Sequence, residues 1–81
     1  MDAIALHIVS PEGTIVKTAV SAVTFPGPLG PCEVLKDHAA LISSLDEGEI
    51  VYVSEGIEYR LPIADGFVEV RDNKVVACVE V

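Results

Sequence analysis

With 81 residues, thirteen acidic against five basic side chains and a formal charge of −8, the chain is one domain at most. It lacks the Lys/Arg clusters that phosphate backbones and anionic lipids attract, so nucleic-acid binding is not expected and direct lipid attachment is disfavoured. The acidity suits a basic protein partner or simple solubility. Half of the residues are apolar but Trp is absent, so Val, Ile, Leu and Ala must fill the core.

Taken in chain order, the periodicity is that of strands. Ile4, Leu6 and Ile8 alternate with Ala5, His7 and Val9, and Pro11-Glu12-Gly13 marks a turn. Val16, Thr18 and Val20 then share one parity, whereas Val23 and Phe25 fall on the other. A one-residue slip would flip every side chain, so a bulge or strand break is expected near Ser21-Ala22. Pro26, Pro28 and Pro31 lack the ladder donor and argue against a central strand there, giving a stiff, exposed loop. Extended structure resumes at Cys32–Leu35, and Ala39–Leu45 lies between two turn signals, which favours strand over helix.

Glu49–Val53 and Ile57–Ile63 flank Ser54-Glu55-Gly56 and read as a hairpin. Its second strand is expected to turn Ile57, Tyr59, Leu61 and Ile63 to the core, with Glu58 and Arg60 in water. Val68 and Val70, an Asp72-Asn73 turn, and Val75, Ala77, Val79 and Val81 complete the pattern. About ten short strands with frequent turns predict an all-β, two-sheet sandwich spanning residues 1–81 with almost no helix. No apolar run approaches the roughly 18 residues of a membrane-crossing helix. Asp2 stands where a signal peptide would carry basic residues, so none is expected.

No catalytic, cofactor or metal constellation emerges. A working His needs an orienting carboxylate and a proton within reach, but Asp37 beside His38 points to the other side of an extended chain. Two Cys and two His without ligand spacing do not make the roughly four-ligand zinc site. Cys32 and Cys78 read as reduced thiols in a cytosolic chain. The Gly27-Pro28-Leu29-Gly30-Pro31 segment is no phosphate cradle, because its prolines remove donors. It reads either as a strand connector or as a rigid apolar tip, presenting Leu29, that docks on another protein with little loss of entropy. In the last strand, the second face of Val76, Cys78 and Glu80 is only partly polar, which marks either a partner site or a strand covered by this chain itself.

Several of these segments, in this order, resemble one known family. Phe25-Pro26-Gly27, Gly30, Val34-Leu35, His38-Ala39, Leu41, Leu45 and Gly48 fill the pattern of the N-terminal β-sandwich domain of the epsilon subunit of F-type ATP synthases. Leu6-x-Ile8-Val9-Ser10-Pro11-Glu12-Gly13 resembles that family's first hairpin, and Ala64-Asp65-Gly66-Phe67-Val68-Glu69-Val70 its late Gly-Gly-Phe-Val-Glu-Val element.

The resemblance implies a non-catalytic rotor subunit of the central stalk, peripheral to the cytoplasmic side of a bacterial cell membrane through its complex. It would link the gamma subunit to the c ring, with no cofactor and no small-molecule substrate. Ser10, His38 and Ser43 match positions at or near the gamma contact. Pro28, Leu29, Gly30, Pro31 and Cys32 match the tip that faces the c ring. Pro31 stands where many members carry Glu, and Glu33 where Gly is usual, so an acidic contact to the ring is lost or moved to Glu33. The likeness is to the short form without the two C-terminal helices, which implies neither inhibition by helix insertion nor ATP binding. The alternative is a lipoyl- or biotinyl-type carrier modified at Lys36. Carriers place Asp or Met before the lysine and Ala or Met after it, whereas Leu35 and Asp37 flank it here.

Overall fold

The computed structural model describes residues 1–81 and contains nine strands and no helix. In chain order they are β1 (Ile4–Ser10), β2 (Gly13–Val20), β3 (Ala22–Gly27), β4 (Gly30–Val34), β5 (Leu41–Leu45), β6 (Gly48–Ser54), β7 (Ile57–Ile63), β8 (Asp65–Arg71) and β9 (Lys74–Glu80). They form a five-stranded sheet, β2-β1-β9-β8-β5, and a four-stranded sheet, β4-β3-β6-β7. All pairings are antiparallel except β1 with β9.

Alternation along each strand selects what is buried. Ile4, Leu6 and Ile8 of β1, Val68 and Val70 of β8, and Val75, Ala77 and Val79 of β9 point from the larger sheet into the core. Val23, Phe25, Val34, Ile50 and Ile63 meet them from the smaller sheet. Phe25, fully buried, is the largest side chain in this layer. Each such burial contributes about 1.5–3 kcal/mol, so the absence of Trp is offset by many branched aliphatics.

The parity switch expected near Ser21-Ala22 is a strand break. Ser21 separates β2 of one sheet from β3 of the other, and its N–H donates to the Val53 carbonyl at 2.9 Å. Val20 and Val23 can therefore both be buried. A second irregularity was not foreseen. Ile8 pairs with Val16 but Val9 with Thr14, which leaves Ile15 as an extra residue in β2. The bulge twists and blunts that edge strand.

Two expectations are corrected. Pro26 and Pro31 lie inside strands and face each other across the β3–β4 hairpin. This is tolerated because β6 pairs with β3 only at Ala22–Thr24, so Pro26 stands beyond the stretch where β3 has neighbours on both sides. Its carbonyl is still used, accepting the Asp46 N–H at 2.8 Å. In β7, Ile57 and Tyr59 are exposed rather than buried, and only Ile63 is fully inside. β7 and β2 are edge strands, and the sheets leave an open cleft of about 320 Å³ between them. Ile57 and Tyr59 line it with Ile15, Val16 and Tyr52. Their parity is inward, but the cleft stays open and the β2 side chains across it do not cover them.

Candidate docking surface

The outer face of the five-stranded sheet carries three of the exposed large apolar side chains, Ile42, Phe67 and Val76. Register places Ser44, Phe67, Cys78 and Val9 in one row across β5, β8, β9 and β1. The next row runs Ile42, Glu69, Val76, His7 and Lys17. Phe67 is 52% exposed and Ile42 75%, and it is contiguous apolar surface, rather than single exposed side chains, that marks interaction sites. Val9, Ser10, Phe67 and Cys78 also line an open groove of about 360 Å³ with Pro11, Asp65 and Glu80 at its margin.

The family-matched residues distribute over this face and its ends. Ser10 closes β1 beside the groove, where its hydroxyl lies 3.3 Å from a Glu12 carboxylate oxygen and accepts the Glu12 N–H at 3.2 Å. His38 stands at the opposite end, in the Leu35–Ala40 connection, close to the Asp72-Asn73 turn. Its Nδ1 donates to the Ala39 carbonyl at 2.7 Å. The Asn73 side chain ties that connection down. It accepts the Asp37 N–H at 2.6 Å and donates to the Asp37 carboxylate at 3.0 Å. Ser43 is half-buried on the inward parity of β5, so its neighbours Ile42 and Ser44 are the ones on the outer face.

Pro28–Cys32 forms the tip and return strand of the β3–β4 hairpin. Pro28-Leu29 is a two-residue turn between Gly27 and Gly30, and Leu29 is wholly exposed. The tip leaves the sandwich at the end where Asp46 meets Pro26 and where Leu45 and Val79 flank Gly66, the same end as the groove beside Ser10. Ser10 and the hairpin tip thus share one end, while His38 lies roughly 20 Å away, the length of a seven-residue strand.

Phe67 and Ile42 were not singled out by sequence reasoning. The signal was present for Phe67, since Val68 and Val70 take the inward parity and force it outward. Val76 and Cys78 do lie on the outer face; Phe67 and Val9 beside Cys78 extend it into an apolar strip, whereas Val76 stands between Glu69 and His7. Lys36 lies in the β4–β5 connection rather than at a tight hairpin, which removes the positional argument for a carrier.

Electrostatically the other sheet differs. Arg60 on β7 bonds Glu58 at 2.8 Å and Glu49 at 3.2 Å, and these hydrogen bonds, Glu58 first, raise its pKa above the usual guanidinium range. Burial, and then the neighbouring Tyr59, raise the pKa of the Tyr52 phenol. The two rings stack at 5.2 Å between centroids. His, Cys, Asp and Glu side chains nowhere gather in a group of three able to hold a metal ion.

The nine strands in two sheets, with apolar side chains on one outer face, define an all-β sandwich domain. Residues 3–81 match the sequence profile of the ATP synthase Delta/Epsilon chain, beta-sandwich domain, and the chain belongs to that family. It is 44% identical over 70 residues to the ATP synthase epsilon chain of Desulfitobacterium hafniense, covering 86% of this chain and 53% of that one. It is 42% identical over 81 residues to the epsilon chain of Nitratiruptor sp., covering 99% and 63% respectively. The chain therefore spans between half and two thirds of the length of these relatives. Its fold is similar to a chain in the Euglena gracilis mitochondrial ATP synthase, with TM-score 0.90, 24% identity, and coverage of 98% of this chain and 51% of that one. A chain in the Tetrahymena thermophila central stalk and c-ring structure gives TM-score 0.82 at 14% identity, covering 98% and 64%.

Proposed function

We propose that this chain serves as a non-catalytic rotor component of an F-type ATP synthase, joining the gamma subunit to the c ring at the cytoplasmic face of a bacterial membrane. The observation that carries the reading is the row of exposed Phe67 with half-buried Cys78 and Val9, flanked by exposed Ile42 and Val76, on the back of a sheet whose other face is the core. Gamma docks along this face, from Ser10 at one end to the neighbourhood of His38 at the other. The Pro28–Cys32 hairpin tip meets the c ring, with Leu29 as its apolar contact.

Mechanically, the geometry suits transmission of torque. A β-sandwich is stiff, and a two-residue turn bracketed by Pro26 and Pro31 has few conformations to lose on docking. The chain moves no bond and no proton. It holds two moving parts in fixed register. Replacing Phe67 by Asp places a charge in the centre of the patch and should abolish co-purification with gamma, while far-ultraviolet dichroism stays that of a β-sandwich. Retention of gamma by that variant would refute the docking assignment.

A further inference from the structure

The same outer face is electrically ordered along its strands. Asp65 of β8 and Glu80 of β9 stand directly opposite each other at one end of the ladder. Arg71 and Lys74 stand directly opposite each other at the other end. Between them lie the Phe67–Cys78 and Glu69–Val76 pairs. Lys17, opposite His7 on β2, adds a third basic group in the row next to the Arg71–Lys74 end, a row that also carries Glu69, so that end keeps a net excess of basic groups. All of the charged side chains named are exposed.

Two features make this arrangement informative. Like charges directly opposite on one sheet face are destabilising, and this ladder holds two such pairs of opposite sign at its two ends. Exchanging Lys74 with Glu80 would give two opposite-charge pairs from the same composition. Relief at the basic end is partial: Asp72 lies 3.7 Å from Arg71 at the exposed turn, and Glu69 lines the same surface hollow as Arg71 and Lys74, whereas the Asp65–Glu80 pair has no ion-pair partner. The second feature is the contrast with the rest of the molecule. This face bears three basic residues (Lys17, Arg71, Lys74) and three acidic ones (Asp65, Glu69, Glu80), which leaves two basic and ten acidic residues elsewhere. The net −8 thus resides wholly outside the face, and the face itself is neutral but polarised.

We infer that this polarity orients the partner: gamma meets the Asp65–Glu80 end with basic side chains and the Lys17–Arg71–Lys74 end with acidic ones. The inference rests on the docking reading above and adds the direction in which the partner lies. An apolar strip alone permits sliding or reversal along the strands. Opposite charges at its two ends penalise the reversed arrangement and speed the correct encounter, which is what charge complementarity does best at interfaces. Interface specificity of this kind is kept at the expense of the free domain's stability.

The test uses the full chain and the gamma subunit of the same synthase, with association rates measured between about 0.05 and 0.5 M salt, where screening changes most. Glu80→Lys and Lys74→Glu each turn one like-charged pair into an opposite-charged pair. Both are expected to slow association at least threefold at low salt, with the difference vanishing at high salt, and Glu80→Lys, which also reduces the net charge, to raise the melting temperature of the free chain. If one variant slows association and the other speeds it, the net charge steers the encounter and the polarity is refuted. Unchanged rates in both, with Phe67→Asp still abolishing binding, refute the polarity and leave the docking face standing. Binding that survives Phe67→Asp overturns the docking face and the inference with it.

Discussion

At the residue scale, two glycines explain why the family pattern needs that residue. A Cβ on Gly48 would stand 2.8 Å from the Pro26 Cβ, so Gly48 is what lets β6 pass beside the proline of the β3–β4 hairpin. At Gly66, φ is +154° and a Cβ would collide with the Cys78 carbonyl and the Val79 backbone in the β8–β9 ladder. Neither obstacle is a flexible side chain. Backbone strain of about 1–3 kcal/mol adds to overpacking of about 1–3 kcal/mol. Gly66→Ala should therefore lower the melting temperature by on the order of 10 °C or more, at about 4–8 °C per kcal/mol for a domain this size. A melt within two or three degrees of the parent would show that the ladder shifts freely. Tyr52 gives a pH prediction. Its folded pKa lies above the unfolded value, so the folded state holds the phenolic proton longer. The linked stability is complete below the unfolded pKa near 10 and is lost as pH rises through the raised value. Tyr52→Phe should flatten the alkaline limb of a stability profile taken from pH 9 upward, and an unchanged limb would assign the loss to other groups.

At the scale of elements, the hairpin tip separates fold from function. Leu29 touches no core residue and is wholly exposed, so Leu29→Asp should change stability by less than about 0.5 kcal/mol. Under the proposed arrangement it should lower coupled ATP synthesis in membranes, measured beside ATP hydrolysis. Unaltered synthesis would make the hairpin a connector only. Much of this architecture was legible in the sequence, because period-two patterning, Glu55-Gly56 and Asp72-Asn73 each carry a local cause. Those turn residues adopt positive φ, between 51° and 76°, as two-residue hairpin turns require. The strand break at Ser21 was visible as a change of parity. What local pattern could not report was what lies across from a strand. β7 alternates like a buried strand, yet it is an edge whose first half faces β2 across an open cleft, so Ile57 and Tyr59 stay in water. Pro26 and Pro31 read as strand breakers, yet pairing on one side only removed the objection. The docking face shared this difficulty. Phe67, Ile42 and Val9 come from three strands that only the sheet order brings together.

At the scale of the whole molecule, charge opposes compactness. The principal extents are 29 × 23 × 18 Å, while the screening length is about 30 Å at 0.01 M salt and about 10 Å at 0.1 M. At low salt every charge therefore interacts with every other, and a formal −8 repels itself across the whole domain. The ion pairs set against this are few and exposed: Arg60 with Glu49 and Glu58, and Arg71 with Asp72. Exposed pairs contribute about 0–1 kcal/mol each and weaken with salt. Repulsion involves many more charges than attraction, so screening should remove more destabilisation than stabilisation. Sodium chloride raised from 0.01 to 0.5 M should increase the melting temperature of the isolated chain, most steeply below about 0.1 M, where the screening length falls within the molecular dimensions. Chloride rather than sulfate is the informative salt, because sulfate also strengthens apolar burial. The Glu80→Lys variant carries two fewer negative units and should show a shallower rise. A melting temperature that falls with sodium chloride would mean that the Arg60 and Arg71 pairs outweigh the self-repulsion, and that the acidic surface is not a burden on the free domain.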